Sequence, residues 1–322
     1  MEFLKRVIRL REFMIFIIVA GMFVVMSFAS PVFLNPGNLL ALLLSLSIEA
    51  LIGVAMTNLM VSGGFDMSVG SVVAFSGAVA AMSMKMGFPV PAAVIAGLFL
   101  GACVGFFNGF VVAVVGINPF VTTLASLSLF RGLLMIITQG KNISPLPPSF
   151  NAIGQTVILG IQSPIWFAVI FVFAGDILLR HSRFLRQSYF IGGNEKTALL
   201  SGIPVNSMKI FNYTMTGLLA GLGGIILTAR LGAASVTTGT GLELKVITAV
   251  IIGGASLAGG EGTVVGSFLG SLLMALIVNA LTLLGVNVYW QTFVIGATLL
   301  TAVLIDRIGK LRKEKIALRK AG

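Results

Sequence analysis

The chain has 322 residues, 57% of them hydrophobic and only 10% charged, with a mean hydropathy of +1.07. Soluble domains carry ~25% charged residues, so this composition excludes a soluble enzyme or binding domain and implies an integral membrane protein with room for at most about a dozen spans. Of the 21 basic residues behind a net charge of +11, 16 lie in three short polar segments, 1–12, 180–209 and 306–320, which is a topology signal and not a nucleic-acid surface.

Apolar runs separated by Gly, Pro, Asn and charge predict ten crossing helices, at about 13–34, 39–61, 70–86, 90–115, 120–138, 163–180, 209–230, 244–258, 262–284 and 289–305. The first run follows basic residues and contains Ser27-Phe28-Ala29, as a cleavable signal peptide would. At roughly 22 residues it is too long for one and reads as a span. Lipid offers the backbone no partner and the runs lack the alternation of a membrane barrel, so the expected fold is an all-α polytopic bundle. An even number of spans puts both termini on one side. Lys5, Arg6, Arg9, Arg11 and the stretch from Arg307 to Lys320 make that side the cytoplasm.

The 181–208 loop, flanked by Arg180, Arg183, Arg186, Lys196 and Lys209, then lies inside, and the 139–162 loop, with Lys141 as its one ionisable residue, lies outside. Trp166, Tyr213, Tyr289 and Trp290 fall near span ends, where amphipathic rings favour the lipid–water interface. The expected organisation is a basic N-terminus (1–12), one transmembrane domain (13–305) and a basic tail (306–322).

Glycines recur at four-residue spacing at Gly101, Gly105 and Gly109, at Gly217 and Gly221, and at Gly266 and Gly270. Such faces let helices approach closely in lipid, within the bundle or at a subunit contact. Two short strings also repeat. Gly64-Phe65-Asp66-Met67-Ser68-Val69 precedes the third span and Gly241-Leu242-Glu243-Leu244-Lys245-Val246 the eighth; Gly116-Ile117-Asn118 precedes the fifth and Gly285-Val286-Asn287 the tenth. The first copies fall inside and the second outside, a weak inverted repeat of the kind found in transporters.

Asp66 and Glu243 stand at helix starts, where a carboxylate caps orphan amides or touches substrate. Glu49 and Arg131 are the charges expected near mid-span, at similar depth, and are expected to pair or to line a pathway. Asn58, Asn108, Thr122, Thr123, Ser126 and Asn279 are neutral intramembrane polar groups, as interhelical glue or as pathway contacts. In the inner loop Asn194 is positioned to cap a helix over about 195–201 that Gly202 and Pro204 end.

No metal or cofactor site is expected, because the single Cys103 and single His181 exclude a cysteine zinc site, a disulfide and an HExxH motif. Gly140-Lys141 and Gly309-Lys310 are followed by Asn and Leu, so no GxxxxGK[ST] phosphate loop occurs and any nucleotide energy has to come from another subunit. Nor is there the catalytic cluster of a membrane enzyme.

Gly192-Gly193-Asn194-Glu195, Leu200-Ser201-Gly202-Ile203, Gly217-Leu218-Leu219-Ala220-Gly221, Gly63-Gly64-Phe65-Asp66-Met67-Ser68-Val69-Gly70-Ser71, Phe130-Arg131-Gly132, Gly239-Thr240-Gly241-Leu242-Glu243-Leu244, Val250-Ile251-Ile252-Gly253-Gly254 and Ser256-Leu257-Ala258-Gly259-Gly260 together resemble the ribose-type permeases of bacterial sugar ABC importers. The resemblance runs over about residues 30–306. It implies a permease that pairs with a second permease subunit, identical or different, within the lipid, with two cytoplasmic ATPase domains and with an extracytoplasmic substrate-binding protein. It also implies that the segment 191–204, with Gly193, Asn194, Glu195, Ala198, Leu200, Ser201, Gly202 and Ile203, is the coupling helix that docks on the ATPase. Lys245 stands where the family pattern has an acidic residue, Glu261 where it often has a basic one, and Asn58 where an apolar one is usual. The expected function is passage of a monosaccharide or similar neutral polar solute, driven by ATP on a partner; an ion-coupled secondary carrier is the competing reading.

Overall fold

The computed structural model describes residues 11–321, with side chains from 12 to 308. The basic groups of Lys5, Arg6, Arg9, Arg11 and Lys310 to Lys320, on which the expected orientation rests, lie outside the described side chains. The described residues form thirteen α-helices and one two-residue hairpin. In order they are α1 (Arg11–Ala29), α2 (Pro36–Val61), α3 (Val69–Lys85), α4 (Val90–Phe110, continued by the π-helical turn Val111–Val115), α5 (Pro119–Thr138), α6 (Pro148–Gln155), β1 (Val157–Ile158), β2 (Ile161–Gln162), α7 (Ser163–His181), α8 (Gln187–Gly193), α9 (Glu195–Leu200), α10 (Val205–Leu231), α11 (Leu242–Ile252), α12 (Val264–Leu283) and α13 (Val288–Ala321).

Eight of the described helices are long and apolar enough to cross a membrane: α1, α2, α4, α5, α7, α10, α12 and α13 as far as Ile308. Their starts follow from local chemistry. Asn35 and Asn118 accept the amides of Gly37 and Phe120 and are followed by Pro36 and Pro119, whose missing N–H costs nothing in a first turn. Thr263 caps α12 through Gly266 N.

Two expected spans come out differently. α3 has 17 residues and α11 only 11, about 16 Å of helix against a ~30 Å hydrocarbon layer. The expected eighth span, 244–258, is thus a half-length helix: its last amides turn back at Gly253 and Gly254, the latter at φ 95°, and irregular backbone runs on to Thr263. The expected span runs through Leu257 and Ala258 because Gly, Ala and Leu dominate 253–258; glycine lets that stretch leave the helix, and irregular backbone at depth is tolerated where protein covers it.

The packing repeats between halves. α3 packs on α4, α5 and α10; α11 packs on α12, α13 and α2. Each half therefore lends its long central helix, α2 or α10, to the other. The glycine faces serve these junctions inside the chain. A Cβ on Gly101 would meet the Gly217 carbonyl, and one on Gly217 the Gly101 carbonyl. The linkers match as well: Gly116 and Gly285 take φ of 82° and 70°, and Asn118 and Asn287 accept the amides of Phe120 and Tyr289 at 2.8 and 3.0 Å.

One end of the bundle is tied together by hydrogen bonds that settle which segments share it. Gly260 N donates to Val61 O, the Tyr189 hydroxyl to Gly262 O, Thr263 Oγ1 to Glu12 and Ser256 Oγ to Asp306. The first turn of α1, α13 near Asp306, and α8 with α9 therefore lie at the same end. At the opposite end lie the hairpin, α6 and the bridge between Ile143 and Ala234. Tyr213, expected as an interface anchor, is instead fully buried and donates to Phe65 O.

Candidate functional site

The starts of α3 and α11 meet inside the bundle. Before α3, Asp66 accepts the backbone amide of Ser68 at 2.7 Å, its hydroxyl at 2.6 Å, and the Asn108 amide at 3.3 Å. Asn108 also donates to Ser68 Oγ and accepts from Ser126. All four residues are buried, and the network is closed. Before α11, the backbone from Gly232 to Gly241 returns into the bundle until Gly239 touches Gly70. There Glu243 accepts Gly241 N at 3.2 Å through one oxygen, while its other oxygen, buried against Gly70, has no partner.

Arg131 crosses this junction. Its guanidinium donates to the carbonyls of Val236 (2.6 Å), Thr238 (2.8 Å) and Gly70 (3.0 Å), and so ties α5 to both half-helix starts. The expected Glu49–Arg131 ion pair does not form. Arg131 is spent on carbonyls that the irregular 232–241 backbone leaves without helical partners, and Glu49 faces Lys245, with Nζ 3.8 Å from Oε1. Because α11 begins halfway across, Lys245 falls beside the middle of α2, where no cation other than Arg131 was expected.

Glu49 and Lys245 line a cavity of about 300 Å³ between α2, α10 and α11. Leu44, Ser45, Ile48, Leu227, Arg230, Gly239, Thr240 and Leu242 complete its wall. Since Arg230 closes α10 and Leu44 lies in the first third of α2, the cavity lies toward the end opposite α8 and α9. The Glu49 side chain is 5% exposed, and its Oε2 has no hydrogen-bond partner. Among the described residues no carboxylate pairs with Arg230. Lys245 carried a signal in the sequence, as a cation opening an apolar run and out of the family pattern, and Thr240 stands in a family string; Arg230 and Ser45 carried none.

The other expected pathway residues do not line this cavity. Asn58 donates to Asn212 at 2.7 Å, and Asn212 donates to Ser188, joining α2, α10 and α8. Asn279 and Asn38 exchange amide hydrogen bonds between α12 and α2. Thr123 bonds back to Pro119 O, and the buried Thr122 hydroxyl has no partner. Their geometry is that of interhelical and local bonding.

At the far end α9 is a two-turn helix whose Asn194 Oδ1 accepts Thr197 N and whose end is turned by Gly202 at φ 81°. Ala198 packs with Ile191, Val205, Met208 and Ile203 and holds α9 to the bundle. Lys209 adds an ion pair to Glu195 at 2.7 Å. Outward, Leu199 is 64% and Leu200 88% exposed, and a groove of about 440 Å³ runs between α8 and α9 past Tyr189, Phe190, Thr197 and Ser201. Burial pushes the Tyr189 phenol above its ordinary value, partly opposed by Arg180 and Arg186, which keeps its proton for the bond to Gly262. An apolar, rigidly mounted tip beside cationic residues can seat a protein partner but has no group for chemistry.

The family model described as the branched-chain amino acid transport system permease component matches residues 38–303. The ribose import permease protein RbsC of Escherichia coli K12 is 41% identical over 291 residues, 88% of this chain and 89% of that protein. The L-arabinose ABC transporter permease protein AraH of Azospirillum brasilense is 36% identical over 286 residues, 89% and 84% of the two chains. The autoinducer 2 import system permease protein LsrC of Yersinia pseudotuberculosis is 35% identical over 268 residues, 83% and 76%. No solved structure matches the chain. The chain belongs to this family of ABC-importer permeases and is a multi-pass membrane protein.

Proposed function

We propose that the chain is the membrane-spanning permease of an ATP-driven importer for a monosaccharide or a similar small, neutral, polar solute, in a bacterial inner membrane. The observation that carries the reading is α9: a capped helix pinned by Ala198 and the Glu195–Lys209 pair, with Leu199 and Leu200 presented outward. Without a nucleotide loop in the chain, this tip is where ATP-driven movement of a partner would enter, through loop 181–208, as a rigid push on α10. Relatives named for import of ribose, arabinose and autoinducer 2 support a polyhydroxylated solute.

The remaining parts follow from that role. A second permease, identical or different, covers apolar helix surface in the bilayer. Two ATPase domains sit beneath the α9 tips, on the cytoplasmic side to which the basic segments assign that end. A substrate-binding protein docks at the opposite end, and affinity resides largely with it. Domain limits of 13–305 for the transmembrane part and flanking basic ends complete the reading.

The test is disulfide crosslinking of Leu200→Cys to cysteines in a surface groove of the ATPase encoded with the permease, alongside ATP-dependent uptake of labelled D-ribose. Crosslinks that form and change with nucleotide are expected. Free labelling at every position from 192 to 204 in the assembled complex, with no crosslink, would overturn the docking assignment. Uptake driven by an ion gradient without ATP would establish the secondary-carrier alternative instead.

A further inference from the structure

The cavity between α2, α10 and α11 holds a chemical imbalance that the fold does not explain. Glu49 is almost fully buried yet bonds no donor through Oε2, and the Lys245 ammonium stands 3.8 Å from Oε1, too far for the ~2.8 Å charge-assisted hydrogen bond such a pair normally makes. A buried carboxylate oxygen without a donor is costly. Elsewhere in the bundle the polar groups facing Asp66 close on one another. Other buried polar atoms also lack a donor or acceptor, Glu243 Oε2 and Thr122 Oγ1 among them, but of these groups Glu49 is the one on the cavity wall, to which Ser45 and Thr240 add hydroxyls.

We infer that this cavity is the intramembrane solute site and that Glu49 and Lys245 select solutes bearing two adjacent hydroxyl groups. One solute hydroxyl donates to Glu49 Oε2, and its neighbour accepts from Lys245 Nζ. The Glu49–Lys245 pair adds no net charge of its own, and Arg230 on the same wall is a further donor to hydroxyl oxygens, so a neutral polyol meets donors and an acceptor without bringing charge into the site. This deepens the importer reading and rests on it for the direction and energy of transport. The selection itself needs only α2 and α11, one from each half of the repeat. Glu49 and Lys245 are therefore specificity-determining residues, and Arg131, which bonds only backbone carbonyls, is not.

The test uses the full complex in nanodiscs, with Cys103→Ser and Ser45→Cys, and follows maleimide labelling of the new thiol. Ser45 is exposed on the cavity wall. D-ribose and erythritol should slow labelling, whereas 1,4-butanediol at equal osmolality, whose hydroxyls are not adjacent, should not. Glu49→Gln should raise the polyol concentration needed for protection about tenfold, since a hydrogen bond to a charged acceptor is lost. If Glu49→Gln does not assemble, Lys245→Gln gives the same reading. Equal protection by butanediol and erythritol, protection by acetate but not erythritol, or unchanged protection in an assembled variant would overturn the assignment. Labelling needs neither ATP nor binding protein, so failure here with intact ATP-dependent uptake removes the site alone. Failure of the ATPase crosslinks would remove the importer reading instead.

Discussion

At the start of α3, Asp66 has three donors, and the Ser68 and Asn108 side chains among them bond onward, to each other and to Ser126. At the start of α11, Glu243 has one donor, its second oxygen has none, and the neighbouring Glu49 likewise keeps an oxygen free. The two junctions occupy equivalent places in the repeat and pack on equivalent helices, so topology does not account for the difference. Duplication lets one copy be finished as structure while the other stays polar and incomplete beside a cavity. The proposed solute site draws on that asymmetry. A solute has to be met by groups that are unsatisfied without it, and the surrounding bundle has to be rigid enough to hold them so.

The largest effect is expected where the two copies touch. Any side chain at Gly70 runs into the Gly239 carbonyl and the Glu243 carboxylate. Gly70→Val should cost well above the ~1–3 kcal/mol of ordinary overpacking, seen as loss of folded protein in detergent extracts. Normal accumulation would mean that the two half-helix starts are not in backbone contact. Next comes Arg131→Met, which leaves three carbonyls without their donor and should lower stability by about 3 kcal/mol in thermal melts. Because Glu49 is not its partner, Glu49→Gln with Arg131→Met should be additive. Rescue of one by the other would restore the direct pair that the geometry excludes.

Those two residues also mark what the sequence made legible and what it did not. The all-α bundle, the α9 helix with its Asn194 cap and the matched glycine–asparagine linkers are visible in residue order, because each depends on local patterns. Charge pairing inside the bundle depends on depth, and residue spacing gives depth only where every apolar run crosses as helix. Once 232–241 returns as irregular backbone, α11 starts halfway across. Lys245 then lands beside Glu49, and Arg131 is claimed by carbonyls that no hydropathy reading could have identified as exposed. Tyr213 misled for a related reason: a ring near a span end reads as an interface anchor unless the neighbouring loop, here at Phe65, folds back over it.

A conservative pair of changes sharpens the contrast between closed and open junctions. Asp66→Asn exchanges an acceptor oxygen for a donor in a network that supplies only donors to it, and should cost about 1–3 kcal/mol. Glu243→Gln alters an oxygen that accepts nothing, and the cost should stay below about 1 kcal/mol. Thermal melts of the two purified variants decide the matter. Equal losses would show that the α11 junction is as fully satisfied as its counterpart.

Modest effects are expected where the copies remain alike. Asn118 and Asn287 each follow a glycine at positive φ and accept the amide two residues on, so Asn→Ala at either should cost about 1 kcal/mol, the usual value of an N-terminal cap. Their surroundings differ in one respect. Phe120, whose amide Asn118 fixes, sets its ring tilted against Phe65 with centroids 6.3 Å apart, next to Asp66, whereas Tyr289 is largely exposed. If the caps act only on their own helices, the two losses match within the precision of the melts. A clearly larger loss at Asn118 would mean that its cap also braces the closed junction through Phe120 and Phe65, extending the asymmetry of the repeat out to its linkers.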